Sequence, residues 1–222
     1  MTFPIPPGAF VVSCQARPDN PLHGPVFMAA MAKAAEAGGA RGIRANGIAD
    51  IAAIRAVTKL PIVGLLKRFE PEFPVAITPD LASALAVAAA GADIVALDAT
   101  ARPRNGERLD NLIPLVRGRT GKPVMADVAT LAEAERAAAL GADAVATTLS
   151  GYTHETAARH GEGPDLDLVA ALVAALSVPV VAEGRFETPA QVREAFRRGA
   201  HAVVVGTAIT NPREMTRRFV RP

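Results

Sequence analysis

Tryptophan is absent from this 222-residue chain, and tyrosine and cysteine each occur once. So few flat aromatic rings leave little on which bases could stack, and the basic residues are scattered rather than clustered. Nucleic acid is therefore excluded as the expected partner. One cysteine, Cys14, builds neither a disulfide framework nor a metal cluster, which suits a reducing compartment. The chain also lacks a long unbroken apolar run. The alanine-rich stretch Leu81 to Ala99 is interrupted by Gly91 and Asp93, so no membrane span is expected. Residues 1–10 have neither the basic region nor the apolar core of a secretion signal, and a cytoplasmic location follows as the expectation. His23, His154, His160 and His201 lack any metal-ligand spacing. There is no P-loop, no GxGxxG and no HExxH.

What is present is a regular alternation. Half of the residues are hydrophobic and the formal net charge is only +2, enough for one large core. Strand-like runs at 9–15, 42–46, 61–67, 94–99, 123–128, 144–149, 178–183 and 202–206 alternate with helical stretches, often alanine-rich. Thr130 to Glu133 and Thr188 to Gln191 read as capping boxes, the second with Pro189 at the first helical position. Asn211 reads as the cap of a final helix. The triplets Gly39-Ala40-Arg41, Gly91-Ala92-Asp93, Gly141-Ala142-Asp143 and Gly199-Ala200-His201 each close a helix and open an even-numbered strand, at intervals of roughly fifty residues. Eight strands and eight helices in strict alternation predict an α/β fold, a (β/α)8 TIM barrel, as a single domain over 1–222. A doubly wound open sheet is the alternative.

Reacting groups in such barrels sit at the C-terminal ends of strands. Those ends carry Gln15, Arg44, Lys67, Asp98, Asp127, Thr148, Glu183 and Gly206. Two-residue alternation turns Gln15, Lys67, Asp127 and Glu183 inward, above apolar layers, and turns Cys14 outward into the core. A set of charges there is costly without a task. Solvated loop charges and mutual ion pairs are the plain alternative for any one of them. Asp98 reads as an anchor for the loop that follows it. Strands seven and eight each end in a glycine, and Gly184-Arg185 with Gly206-Thr207 bare backbone N–H groups that suit a phosphate.

The motifs VSCQA (12–16), GIRANG (42–47), PIVGLLKR (61–68), ADIVALDAT (92–100), MADVAT (125–130), AEGRFETPAQ (182–191) and VVGTAIT (204–210) run in order along the whole chain. They resemble the N-acetylmannosamine-6-phosphate 2-epimerase family. The resemblance implies interconversion of the 6-phosphates of N-acetylmannosamine and N-acetylglucosamine in sialic acid catabolism. It implies no redox cofactor, no metal and a homodimer. It places substrate contacts on Gln15, Arg44 and Asp127 and proton transfer on Lys67 and Glu183, favouring Lys67 as base and Glu183 as acid. One departure stands out. Such proteins usually have Arg directly after Ala-Ile-Thr; here the residue is Asn211, with Arg213 two positions on.

The chemistry suits the residues. The C2 proton of such a sugar is acidic when C1 is an aldehyde, so a site needs proton-transfer groups near C2 and hydrogen-bond donors for the resulting oxyanion. Three alternatives remain at this stage: a Schiff-base lyase using Lys67, a non-catalytic phosphosugar-binding barrel, and a thiamin-phosphate-synthase-like transferase.

Overall fold

The computed structural model describes residues 3–220. Eight parallel strands close into one barrel in chain order: β1 (Ala9–Cys14), β2 (Gly42–Asn46), β3 (Ile62–Leu65), β4 (Ile94–Asp98), β5 (Val124–Asp127), β6 (Ala144–Ala146), β7 (Val180–Glu183) and β8 (Ala202–Val205). Around them lie α1 (Pro25–Ala37), α2 (Ile48–Val57), α3 (Leu81–Ala89), α4 (Leu109–Thr120), α5 (Leu131–Ala139), α6 (Leu166–Ala175), α7 (Pro189–Arg197), the four-residue α8 (Thr207–Thr210) and α9 (Pro212–Val220). The closed ring rules out the open-sheet alternative: β1 pairs with both β2 and β8.

Buried parallel strands read as near-continuous β-branched and aliphatic runs, which is why the strands were recognisable. Their two faces fill two cores. Val11, Val63, Leu65, Met125, Val181 and Val204 pack inside the barrel. Cys14, Ile43, Ile62, Leu97 and Val203 pack outward under the helices. Cys14 is fully buried, and burial pushes its thiol up to about 12, so it behaves as an apolar filler.

The Gly-Ala-x triplets have one structural task. In each, the N–H of the third residue (Arg41, Asp93, Asp143 and His201) donates to a carbonyl at the start of the preceding odd strand (Phe10, Ile62, Val124 and Val180). Asp93 and Asp143 add a side-chain layer. Each accepts the backbone N–H of that strand's first residue, Ile62 or Val124, and an arginine from the preceding helix, Arg55 or Arg117. The repeat is thus a clasp at the end of the barrel opposite the candidate site.

Two expectations need correction. The run read as a strand over 144–149 stops at Ala146, and Thr147–Leu149 form a 3-10 turn. The cause is local. The Thr147 hydroxyl donates to the Glu183 carbonyl at 2.9 Å and accepts the Glu183 N–H at 3.0 Å, replacing a rung of the ladder. Nor is the alternation strictly eight and eight. After β8 the chain makes the short α8 and then restarts as α9, with the Asn211 carboxamide oxygen accepting the Glu214 N–H at 3.2 Å. Both capping boxes form as read.

Candidate active site

Four inward-facing side chains at the C-terminal mouth converge on one network. The Arg44 guanidinium, from β2, donates to both carboxylate oxygens of Asp127 on β5, at 3.0 and 2.5 Å. It also pairs with Glu183 Oε2 on β7 at 2.8 Å. Arg44 and Asp127 are closed off at 1% and 0% exposure, whereas Glu183 retains 12%. Arg44 and Asp127 therefore form the floor, with Glu183 above them.

Thr148 completes the floor. Its hydroxyl lies 2.7 Å from Asp127 Oδ1 and 3.1 Å from Glu183 Oε2. A hydroxyl has a single hydrogen to donate. It therefore serves one of the two carboxyl groups at a time. Sequence reasoning noted Thr148 as a strand end but did not place it in the site. Its position follows from the 3-10 turn, which is visible only once Thr147 is seen bonding across to β7.

Lys67 stands on the other side of the mouth. It lies past the end of β3, where the connection to α3 doubles back in an antiparallel bridge between Lys67 and Ile77. The Asn46 carboxamide, from the end of β2, accepts the Lys67 N–H at 2.8 Å and fixes the backbone. The amine donates to Gln15 Oε1 at 2.9 Å, and Gln15 Nε2 donates to Ser13 Oγ at 2.9 Å. Gln15, Arg44, Lys67, Asp127 and Glu183 are thus all brought to one end of the barrel. Asp98 instead anchors its own loop, accepting from Thr100 and Arg102.

The charges tune one another. Burial raises the Glu183 carboxyl to about 7, against the pull of Arg44, with the Asp127 carboxylate adding to the rise. Burial and the Arg44 cation together lower the Lys67 amine, with Glu183 and Asp127 opposing. Lys67 also touches solvent at the mouth, which restrains the shift. Burial alone would weaken Arg44, but the two carboxylates outweigh it and keep the guanidinium firmly charged. A Lys-Glu pair in water would stay charged. Here Arg44 takes the carboxylate side of that pairing, and the amine is left with a neutral amide. Proton exchange at one carbon is chemistry this arrangement can perform.

The glycine turns lie beside this network. Gly184 and Arg185 adopt φ of 108° and 58°, the second a left-handed backbone carrying a side chain. Arg185 does not turn its guanidinium into the mouth. It donates to the carbonyls of Gly163 at 2.8 Å and of Ser150, pinning the connection between β6 and α6. Only its backbone faces the turn. At β8, Gly206 packs against β1, where an added Cβ would meet Ser13 Cβ at 3.2 Å. Arg213, the nearest cation after Asn211, is committed to Asp19, donating to its carbonyl and its carboxylate at 2.8 and 3.0 Å. Among the described residues, no three His, Cys, Asp or Glu side chains converge as metal ligands do.

Comparison with known proteins decides the family. Residues 28–222 match the family described as "Putative N-acetylmannosamine-6-phosphate epimerase". The chain belongs to the N-acetylmannosamine-6-phosphate 2-epimerase family. A relative of that description from Enterobacter sp. (strain 638) is 48% identical over 215 residues, covering 96% of this chain and 92% of its own. One from Thermosynechococcus vestitus is 52% identical over 203 residues, covering 91% and 88%. The solved N-acetylmannosamine-6-phosphate 2-epimerase from Clostridium perfringens superposes with a TM-score of 0.93 at 41% identity, covering 97% of this chain and 93% of that one. Membership in this epimerase family sets the lyase, binder and transferase readings behind.

Proposed function

We propose that this protein interconverts N-acetylmannosamine 6-phosphate and N-acetylglucosamine 6-phosphate by removing and returning the proton on C2. One observation carries the reading. Lys67 and Glu183 stand at one mouth with their ordinary charges opposed by their surroundings, a weakened ammonium and a carboxyl that holds a proton near neutrality. A neutral Lys67 takes the C2 proton of the open-chain sugar. The electron pair moves onto the C1 oxygen as an enediolate-type anion, and Glu183 delivers a proton to the opposite face. The reverse reaction exchanges the roles.

The other residues support this pair. Gln15 aims the Lys67 amine, and Asn46 fixes its backbone. Arg44, Asp127 and Thr148, below Glu183, act on the reaction through it and set where its proton sits. Backbone N–H groups at Gly184-Arg185 and Gly206-Thr207 receive the phosphate. No metal or redox cofactor enters the scheme.

Turnover in heavy water tests the reaction. Deuterium is expected at C2 of the product, seen as loss of the C2 proton resonance on the timescale of epimerisation. Sustained epimerisation with full protium at C2 would overturn the deprotonation route.

We also propose that the protein is a homodimer. Helix α9 has no buried residue, and Phe219 and Val220 are 84% and 71% exposed. An apolar cleft of about 260 Å³ opens between α1, β1 and α8, lined by Phe10, Met31, Ala35 and Ile209. Apolar surface of this kind marks an interaction site, which the proposal assigns to a second copy of the chain. Light scattering on the purified protein is expected to give twice the 22.9 kDa chain mass; a single-chain mass at micromolar concentration would remove the dimer.

A further inference from the structure

A phosphate held by backbone N–H groups alone would meet no full positive charge, and the arginines nearest the two glycine turns are engaged elsewhere. Arg44 is spent on Asp127 and Glu183, Arg185 on carbonyls of the β6–α6 connection, and Arg213 on Asp19. Asn211 is neutral, and its carboxamide oxygen already accepts from Glu214 and from Asn20 Nδ2.

Among the described residues, one arginine at this edge is in no ion pair. Arg17 lies two residues past Gln15, on the connection from β1 to α1. It is exposed, and its guanidinium makes no ion pair among the described residues, neighbouring Asp19 being taken by Arg213. Its backbone is tied to the segment that follows β8 by several bonds. The Arg17 carbonyl accepts the Asn20 N–H at 2.9 Å, closing a tight turn over residues 17–20. Buried Asn20 then donates to Asn211 at 3.3 Å. Asp19 holds Arg213 at the start of α9. The Thr210 hydroxyl, at the end of α8, donates to the Ser13 carbonyl of β1 at 2.9 Å. Since α8 is four residues long, about 6 Å, these ties keep the 17–20 turn close to Gly206 and Thr207.

We infer that Arg17 is the substrate-binding cation of this site, reaching across the β1–β8 seam to the sugar phosphate that Gly184-Arg185 and Gly206-Thr207 cradle. The inference rests on the proposed phosphosugar epimerisation. The positive charge of Arg17 also acts, weakly, to disfavour the ammonium form of Lys67.

Comparison of the wild-type protein with Arg17→Ala and Arg17→Lys tests this. Each is assayed for epimerisation of N-acetylmannosamine 6-phosphate and for inhibition by inorganic phosphate. Calorimetric titration with inorganic phosphate measures binding without turnover. Arg17→Ala is expected to raise KM about tenfold to a hundredfold, the range for losing one charge-assisted hydrogen bond. Inhibition and binding by phosphate should weaken by a similar factor. Arg17→Lys should recover part of each loss, because a point charge remains without the fork. Unchanged phosphate binding in Arg17→Ala would overturn the inference, as would a loss confined to kcat, which would mean that Arg17 acts only through Lys67. A wild-type protein inactive on the phosphosugar would instead overturn the functional reading, and the calorimetric comparison would still decide whether Arg17 holds phosphate.

Discussion

Lys67→Met is expected to lower turnover by about 1,000-fold while leaving the fold intact, since positioned general bases contribute on the order of 100-fold to 10,000-fold. The fold should survive because the side chain sits at the wet mouth, and its amine bonds only to Gln15 among the described residues. Lys67→Arg sharpens the test. A guanidinium keeps the positive charge but does not give up its proton in a protein. If Lys67 served only to attract an anion, the arginine variant would retain much of the activity. A variant as inactive as the methionine one identifies a proton acceptor. The pH profile follows from the same assignment. Activity falls toward acid as Lys67 becomes ammonium, and toward alkali as Glu183 loses the proton it must donate. One inflection is expected near 7, where the Glu183 carboxyl titrates. Full activity in Lys67→Arg, or a flat profile from pH 5 to 9, would remove Lys67 and Glu183 from proton transfer.

The barrel was legible because its signals are local and repeated. Aliphatic strands, capping boxes at Thr130 and Thr188, and four Gly-Ala-x closures each encode an element over a few residues. The inward set was legible for a related reason: in a strand the period of two decides which side chain faces the axis, and the barrel fixes which end matters. What escaped the sequence depends on contacts between distant segments. Thr148 enters the site only because Thr147 binds β7 across the barrel, and a Thr-Thr pair inside a β-rich run carries no sign of that. Arg185 sits in the phosphate turn by sequence, yet its guanidinium serves carbonyls more than twenty residues upstream. Asn46 closes the run read as a strand over 42–46 with no role drawn from it, and it holds the backbone of Lys67.

Arg44→Met is expected to destabilise the protein by about 3–5 kcal/mol, the range for removing one partner of a buried ion pair. For a chain of this size that is a drop in Tm of roughly 10 °C. The magnitude comes from what stays behind. Asp127 and Glu183 accept from Arg44 in a space closed to water, and the variant leaves two neighbouring carboxylates with the Thr148 hydroxyl between them. Two further measurements separate this cause from simple loss of packing. In Arg44→Met the Glu183 carboxyl, which burial already raises, loses the cation that opposes the rise; it holds its proton more tightly folded than unfolded, so the variant's stability falls as pH rises. Its deficit against the wild type should therefore be smaller at pH 5 than at pH 8. Adding Asp127→Asn should recover part of the loss, because the second change removes the charge that the first left unpaired. A deficit below about 1 kcal/mol, or one independent of pH and unmoved by Asp127→Asn, would show that the floor is held by packing and that Arg44 does not set the proton affinity of Glu183.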